Sequence, residues 1–304
     1  MNAIAPKVCI VGLGSMGGGA ARACIRAGLA TYGVDVNPAA CAALKAEGAA
    51  DAAADPKAFA GLIDAVLVLV VDARQCEDAL FGERGIASQL KPGTPVMVSA
   101  TISAERARDL AARLAALDLP MLDAPVSGGA AKALAGEMTV MASGAPATFE
   151  KLAPLLDAVA GKVYRIGEEI GLGSTVKIVH QLLAGVHIAA GAEAMALAAR
   201  AGIPLDLMYE VVTNAAGNSW MFEDRMKGVV AGDYTPTSAV DIFVKDLGLV
   251  AETGLALKFP LPLAAAALGL FTNASNAGFG KQADSAVIKA YAGIDLPKKD
   301  DGNA

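Results

Sequence analysis

Three clusters of residues in this 304-residue chain have the types and spacing that chemistry requires. The first is Gly12-Leu13-Gly14-Ser15-Met16-Gly17, a Gly-x-Gly-x-x-Gly turn directly after the apolar run Val8–Val11. In a βα unit Gly12 makes the tight turn and Gly14 lets a pyrophosphate approach the backbone. Gly17 lets the following helix pack closely, with its first N–H groups facing the phosphates. Asp35 ends a second short apolar segment, Thr31–Val34, where a carboxylate accepts hydrogen bonds from the ribose hydroxyls. It repels a 2′-phosphate, and Val36-Asn37-Pro38 supplies no Arg to hold one, so the expected cofactor is NAD rather than NADP. Asn37 is the better candidate to cap the helix that begins at Pro38.

The second cluster, Asp123-Ala124-Pro125-Val126-Ser127-Gly128-Gly129, follows a candidate strand and therefore falls at the carboxyl edge of a sheet. Gly128 and Gly129 leave backbone N–H groups accessible, and the Ser127 hydroxyl adds a donor, which together suit a carboxylate. An ordinary Pro/Gly turn fits the same residues, with Asp123 only orienting it. The third cluster is Lys177 with His180 and Gln181, three and four residues on, which share one face of a helix. On a stretch otherwise built of Val, Ile, Leu and Ala, this polar group reads as a site. A lysine suits alcohol oxidation, because the hydroxyl proton must be accepted as hydride leaves and returned in the reverse direction. Partial burial and a nearby positive nicotinamide ring would both disfavour its ammonium form.

Two further segments stay open on their residues alone. Lys245-Asp246 reads as a solvated pair, and Asn218-Ser219-Trp220 reads either as a helix cap followed by a core Trp or as the rim of a substrate pocket.

The elements that must position these groups follow from the patterning. Up to about Gly167 short apolar strands alternate with Ala-rich helical stretches, the signature of a parallel sheet. The expected strands are Val8–Val11, Thr31–Val34, Ala65–Val71, Pro95–Ser99, Pro120–Leu122, Thr139–Ala142 and Val163–Arg165, with Ala65–Val71 central and beside the first. Beyond Gly173 the pattern is helical, broken near Gly202-Ile203-Pro204, Ala216-Gly217-Asn218 and Phe259-Pro260. A helix over Ser174–Arg200, about 40 Å long at ~1.5 Å per residue, forms its backbone. The expected fold is thus an α/β Rossmann-type N-terminal domain with a mostly parallel sheet (residues 1–169), followed by an all-α C-terminal domain (residues 170–304).

Composition bounds the partners. Net charge −6 and a pI near 5.0 argue against nucleic acid and against an anionic membrane surface. Cys9, Cys24, Cys41 and Cys76 show no C-x-x-C spacing and no His cluster, so reduced thiols in a cytoplasm, and no metal site, are expected. The first seven residues lack a charged segment followed by an apolar one, so no secretory signal is expected. The tail from Lys298 is polar and expected to fray. Leu182–Ala199 approaches a membrane span in hydropathy but carries His187 and Glu193, and it reads as a buried helix between domains or subunits.

Together these segments resemble the β-hydroxyacid dehydrogenases, the 3-hydroxyisobutyrate dehydrogenase group, over essentially the whole chain. Gly12–Gly17 looks like the family's cofactor loop and Asp123–Gly136 like its substrate signature. Gly173–Lys177 looks like its catalytic segment and Lys245–Leu249 like its late K-D-L motif. The resemblance implies that Lys177 is catalytic and that Ser127, Gly128 and Gly129 hold a substrate carboxylate. It further implies that Thr101 and Lys245 contact NAD and that the chain forms a homodimer or homotetramer. The family usually has Asn where this chain has His180. With the segments Lys177–His187 and Ala216–Phe222, that departure resembles a branch that oxidises the C2 hydroxyl of a four-carbon sugar acid, L-threonate. In that branch His180, Gln181, Asn218 and Trp220 would meet the substrate. Hydroxyisobutyrate or tartronate-semialdehyde chemistry, and a non-catalytic dinucleotide-binding module, are the alternatives.

Overall fold

The computed structural model describes residues 5–299, and the readings that touch residues 1–4 and 300–304 lie there outside the described residues. The chain divides into two compact units, the first ending at Lys177 and the second beginning at Ile178.

The first unit is built on a nine-stranded sheet. Its strands are β1 (Lys7–Val11), β2 (Ala30–Val34), β3 (Asp51–Ala53), β4 (Ala65–Val68), β5 (Val96–Val98), β6 (Met121–Asp123), β7 (Val126–Ser127), β8 (Met138–Ser143) and β9 (Ala160–Gly167). Their order is β3-β2-β1-β4-β5-β6-β8-β7, with β9 paired to β8. The first six strands are all parallel, and β1 lies between β2 and β4, so the topological switch point falls beside the glycine turn. β8 runs antiparallel to both β6 and β7, and β9 follows β8 in parallel. Helices α1 (Ser15–Arg26), α2 (Pro38–Ala46), α3 (Ala73–Phe81), α4 (Ala104–Ala115), α5 (Gly129–Ala135) and α6 (Pro146–Val159) cover the sheet. Two apolar cores result, one around Ile10, Leu67, Met97 and Leu122, the other around Cys9, Val66, Val98 and Leu110. Alternate residues of β1 and β4 thus serve opposite faces, as a strand buried on both sides requires.

Two corrections to the expected strands matter. The apolar run from Ala65 leaves the sheet after Val68 rather than at Val71. There the Leu69 N–H bonds the Val11 carbonyl, and the Leu69 carbonyl turns toward Gly12. Two short strands, Asp51–Ala53 and Val126–Ser127, add to the expected set.

Helix α7 (Leu172–Arg200) begins two residues before the expected Ser174 and carries the boundary between the units. It is followed by α8 (Leu205–Thr213), α9 (Trp220–Val230), α10 (Val240–Ala256) and α11 (Pro262–Ala274), then by shorter helical turns to Ala290. Gly202, at φ 76°, follows the end of α7 in the left-handed conformation that glycine adopts without penalty. By length and composition α7 is apolar enough to cross a membrane, yet half of its most apolar stretch is buried. Ile188, Ala192 and Met195 pack with Phe222, Met226, Leu247 and Phe271 in the core of the second unit. Gly185 and Gly191 allow this packing, since a methyl group at either would press on Leu247 or on Phe222.

Candidate active site

The glycine turn is shaped by its backbone. Gly12 sits at φ 92°, a conformation L side chains avoid, and a Cβ there would lie 2.6 Å from the Leu69 carbonyl oxygen. Its N–H bonds the Val34 carbonyl, which ties the end of β1 to the end of β2. A Cβ on Gly17 would collide with the Gly12 carbonyl, whereas one on Gly14 would meet nothing within 4 Å. Gly14 caps α1 with no side-chain hydrogen bond, so the first-turn N–H groups receive no acceptor from the cap. Gly14 and Ser15 are exposed, Met16 is half-buried and Leu13 is buried. Asp35 fastens this loop: Oδ2 accepts from the Leu13 N–H at 2.6 Å and Oδ1 from the Asn37 N–H at 2.7 Å. Asn37 in turn caps α2 by accepting from the Ala39 N–H. A bare helix N-terminus, a glycine open to its surroundings and a carboxylate held beside them fit a dinucleotide's pyrophosphate and adenosine ribose. Thr101, half-buried, stands just past the carboxyl end of β5, on the same edge of the sheet.

At the end of β6 Asp123 does more than orient a turn. It is 1% exposed, and Oδ2 accepts from the N–H groups of Gly171 and Ser174, both at 2.9 Å, and from the Ser143 hydroxyl. Oδ1 accepts from the Ser174 hydroxyl at 2.7 Å, and Ser143 Oγ accepts from the Gly173 N–H. Burial pushes the Asp123 carboxyl above the usual carboxylate range, against the opposing pull of these hydrogen bonds. The first turn of α7 is thereby pinned to the strand ends. Gly173 makes the approach possible, because a Cβ there would lie 2.5 Å from the Asp123 carbonyl and 2.6 Å from that of Met141. Lys177 occupies the next turn and is 6% exposed.

Past Asp123 the chain reaches Ser127, Gly128 and Gly129, all half-buried. Gly128 (φ 127°) and Gly129 (φ 67°) both lie in the region reserved for glycine. A Cβ on Gly129 would meet nothing, so its backbone is approachable; one on Gly128 would press on the Lys132 side chain.

In the second unit the side chains of His180, Gln181, Asp246 and Lys245 are linked. His180 Nδ1 lies 2.9 Å from Gln181 Oε1, and Gln181 Nε2 donates to Asp246 Oδ2. Lys245 Nζ stands 2.6 Å from Asp246 Oδ1. Asp246 is 2% exposed, which overturns the reading of Lys245-Asp246 as a solvated pair. Asp246 was not among the expected site residues: it is the D of the K-D-L segment, but the partner that gives it a role, Gln181, lies 65 positions away. Asn218 and Trp220 stand outside this network. The Asn218 amide donates to Glu223, Ser219 rather than Asn218 caps α9, and Trp220 is 61% exposed, which excludes a core Trp.

The chain matches two family models in succession. Residues 7–167 match the NAD binding domain of 6-phosphogluconate dehydrogenase, and residues 171–291 match the model described as NAD-binding of NADP-dependent 3-hydroxyisobutyrate dehydrogenase. It is 70% identical to L-threonate dehydrogenase of Escherichia coli K12, over 95% of this chain and 96% of that one. It is 68% identical to L-threonate dehydrogenase of Haemophilus influenzae, over 96% and 97%. A crystal structure described as 3-hydroxyisobutyrate dehydrogenase from Salmonella typhimurium superposes with a TM-score of 0.90 at 68% identity, covering 94% of this chain and all of that one. The chain belongs to the β-hydroxyacid dehydrogenase family, nicotinamide-dinucleotide oxidoreductases of small hydroxyacids.

Proposed function

We propose that the chain oxidises the C2 hydroxyl of L-threonate with NAD, and that Lys177 carries the proton. The observation that carries this reading is a lysine 6% exposed, one turn into a helix whose start is pinned by Asp123. A buried lysine at this place is a group that can take up and return a proton, the role that general acid–base catalysis of alcohol oxidation requires. When bound, the dinucleotide supplies the hydride acceptor. Lys177 Nζ takes the C2 hydroxyl proton in oxidation and returns it in reduction. Ser127 Oγ and the N–H groups of Gly128 and Gly129 hold the substrate carboxylate. His180 and Gln181 meet its hydroxyls, with Asn218 and Trp220 at the rim.

Leu13, Ser15 and Met16 with the three glycines form the phosphate cradle, and Thr101 and Lys245 contact the dinucleotide. Asp35, already held by two backbone N–H groups, keeps lone pairs for the adenosine ribose hydroxyls and repels a 2′-phosphate, which favours NAD over NADP. Four buried cysteine thiols suit a reducing compartment, the cytoplasm. Val179, Leu183 and Leu197 are more than half exposed on α7 and support a homodimer or homotetramer through this helix.

Identity of 68–70% to L-threonate dehydrogenases supports the substrate, while the Salmonella structure's description favours 3-hydroxyisobutyrate as the second reading. NAD reduction measured with L-threonate, erythronate, glycerate and 3-hydroxyisobutyrate separates the two. The highest kcat/KM is expected for L-threonate, and a higher value for any of the others removes the assignment.

A further inference from the structure

We propose that Asp246 is a positioning residue that sets the tautomer of His180 through the Gln181 amide, and so makes His180 Nε2 a hydrogen-bond acceptor for a substrate hydroxyl. The Asp246 carboxylate, ion-paired with Lys245, only accepts hydrogen bonds. Gln181 has one donating and one accepting end, and both neighbours lie within hydrogen-bond reach. Its NH2 group must face Asp246 Oδ2, which turns Oε1 toward His180. An amide oxygen only accepts, so Nδ1 of His180 must carry a proton. In the neutral ring the lone pair then resides on Nε2. Asp246 and Gln181 are 2% and 7% exposed, so water does not compete for these bonds and the relay holds one orientation.

This inference rests on the reading that His180 meets the substrate. A fixed acceptor at Nε2 favours a polyhydroxy acid, whose hydroxyls beyond C2 can donate to it. It gives no such bond to a hydroxyacid that presents a methyl group instead, because a methyl group has no proton to donate.

The chain has two histidines, so long-range 1H–15N correlation of the full-length protein labelled at histidine gives two imidazole patterns, assigned with H187Q. At a pH where the ring is neutral, His180 is expected in the Nδ1–H form. In Q181M, which removes the amide and leaves the Asp246–Lys245 pair in place, it should shift toward the Nε2–H form, and D246A should do the same. Should D246A fail to fold, Q181M alone decides. A wild-type Nε2–H form, or an Nδ1–H form that survives in Q181M, overturns the proposal. The ratio of kcat/KM for L-threonate over 3-hydroxyisobutyrate should also fall about tenfold, the worth of one neutral hydrogen bond, in D246A, which keeps Gln181 and His180; an unchanged ratio refutes the specificity role. The tautomer result does not depend on turnover, so failure of the relay and failure of the substrate assignment are told apart.

Discussion

Substitution of alanine at two glycines of the same turn separates packing from ligand approach. At Gly17 a Cβ would lie against the Gly12 carbonyl, far inside the 3.0 Å below which real Cβ contacts are essentially absent. Both groups are backbone, so no flexible side chain can yield. The loop and α1 must separate by more than about 1 Å, and overpacking of this kind costs about 1–3 kcal/mol. At ~2–4 °C per kcal/mol for a unit of this size, the Tm of G17A should fall by several degrees. The loop also carries Leu13, whose N–H bonds Asp35, so the dinucleotide cradle is displaced and NADH affinity should fall at least about tenfold. G14A differs in kind. Its Cβ meets nothing within 4 Å in the protein, so the Tm should stay within about 1 °C of wild type. That methyl stands where the pyrophosphate approaches, so NADH affinity should still drop about tenfold. Calorimetric unfolding and NADH fluorescence titration read the two effects. If G17A matched the wild type in both, or G14A bound NADH as tightly as the wild type, the assignment of the turn would be refuted.

Replacing Asp123 by Asn tests the anchor of α7 through its pH dependence. Burial raises the Asp123 pKa in the folded chain, so its contribution to stability is full below the unfolded carboxyl's value near 3.9 and declines as pH rises through the folded value. Urea unfolding of D123N should therefore show a deficit that is largest at acid pH and narrows toward neutrality; a deficit that widens with pH would mean that the hydrogen bonds outweigh burial. The D35A variant should narrow the preference for NAD over NADP at least about tenfold in kcat/KM, because the charge that repels a 2′-phosphate is gone; an unchanged ratio would show that specificity lies elsewhere. All four cysteines are buried, with the Cys24 thiol pushed up to about 12 and Cys9 and Cys41 also raised by burial. Ellman's reagent at pH 8 should find almost no reactive thiol in the native chain and four after denaturation. A fast-reacting native thiol would contradict the burial.

Much of this site was legible because backbone geometry demands particular residues. Gly12, Gly14 and Gly17 could be read in advance because each meets a distinct steric requirement, and Asp35 because its place follows from the length of one βα unit. Asn37 was readable as a cap from its position before Pro38. Other features depend on partners remote in the chain. Leu69–Val71 is as apolar as the strand before it, and what sets it apart is the approach of the Leu69 carbonyl to the Gly12 turn, a partner remote in the chain. Asp51–Ala53 has little strand propensity of its own and is a strand because β2 pairs with it. The reversal of β8 is not written in its residues either, since strand direction is set by the connections on each side. Lys245-Asp246 reads as a surface pair until the fold places Gln181 against it, and Asp123 reads as a turn residue until Gly171 and Ser174 arrive from 48 and 51 positions away.

The central claim is that Lys177 moves the hydroxyl proton, and the kcat of K177M with saturating L-threonate and NAD tests it most directly. General acid–base catalysis contributes about 10²–10⁴-fold, so kcat should fall by that factor while NADH affinity stays within about threefold of wild type. A K177M enzyme that turns over at the wild-type rate would contradict the account.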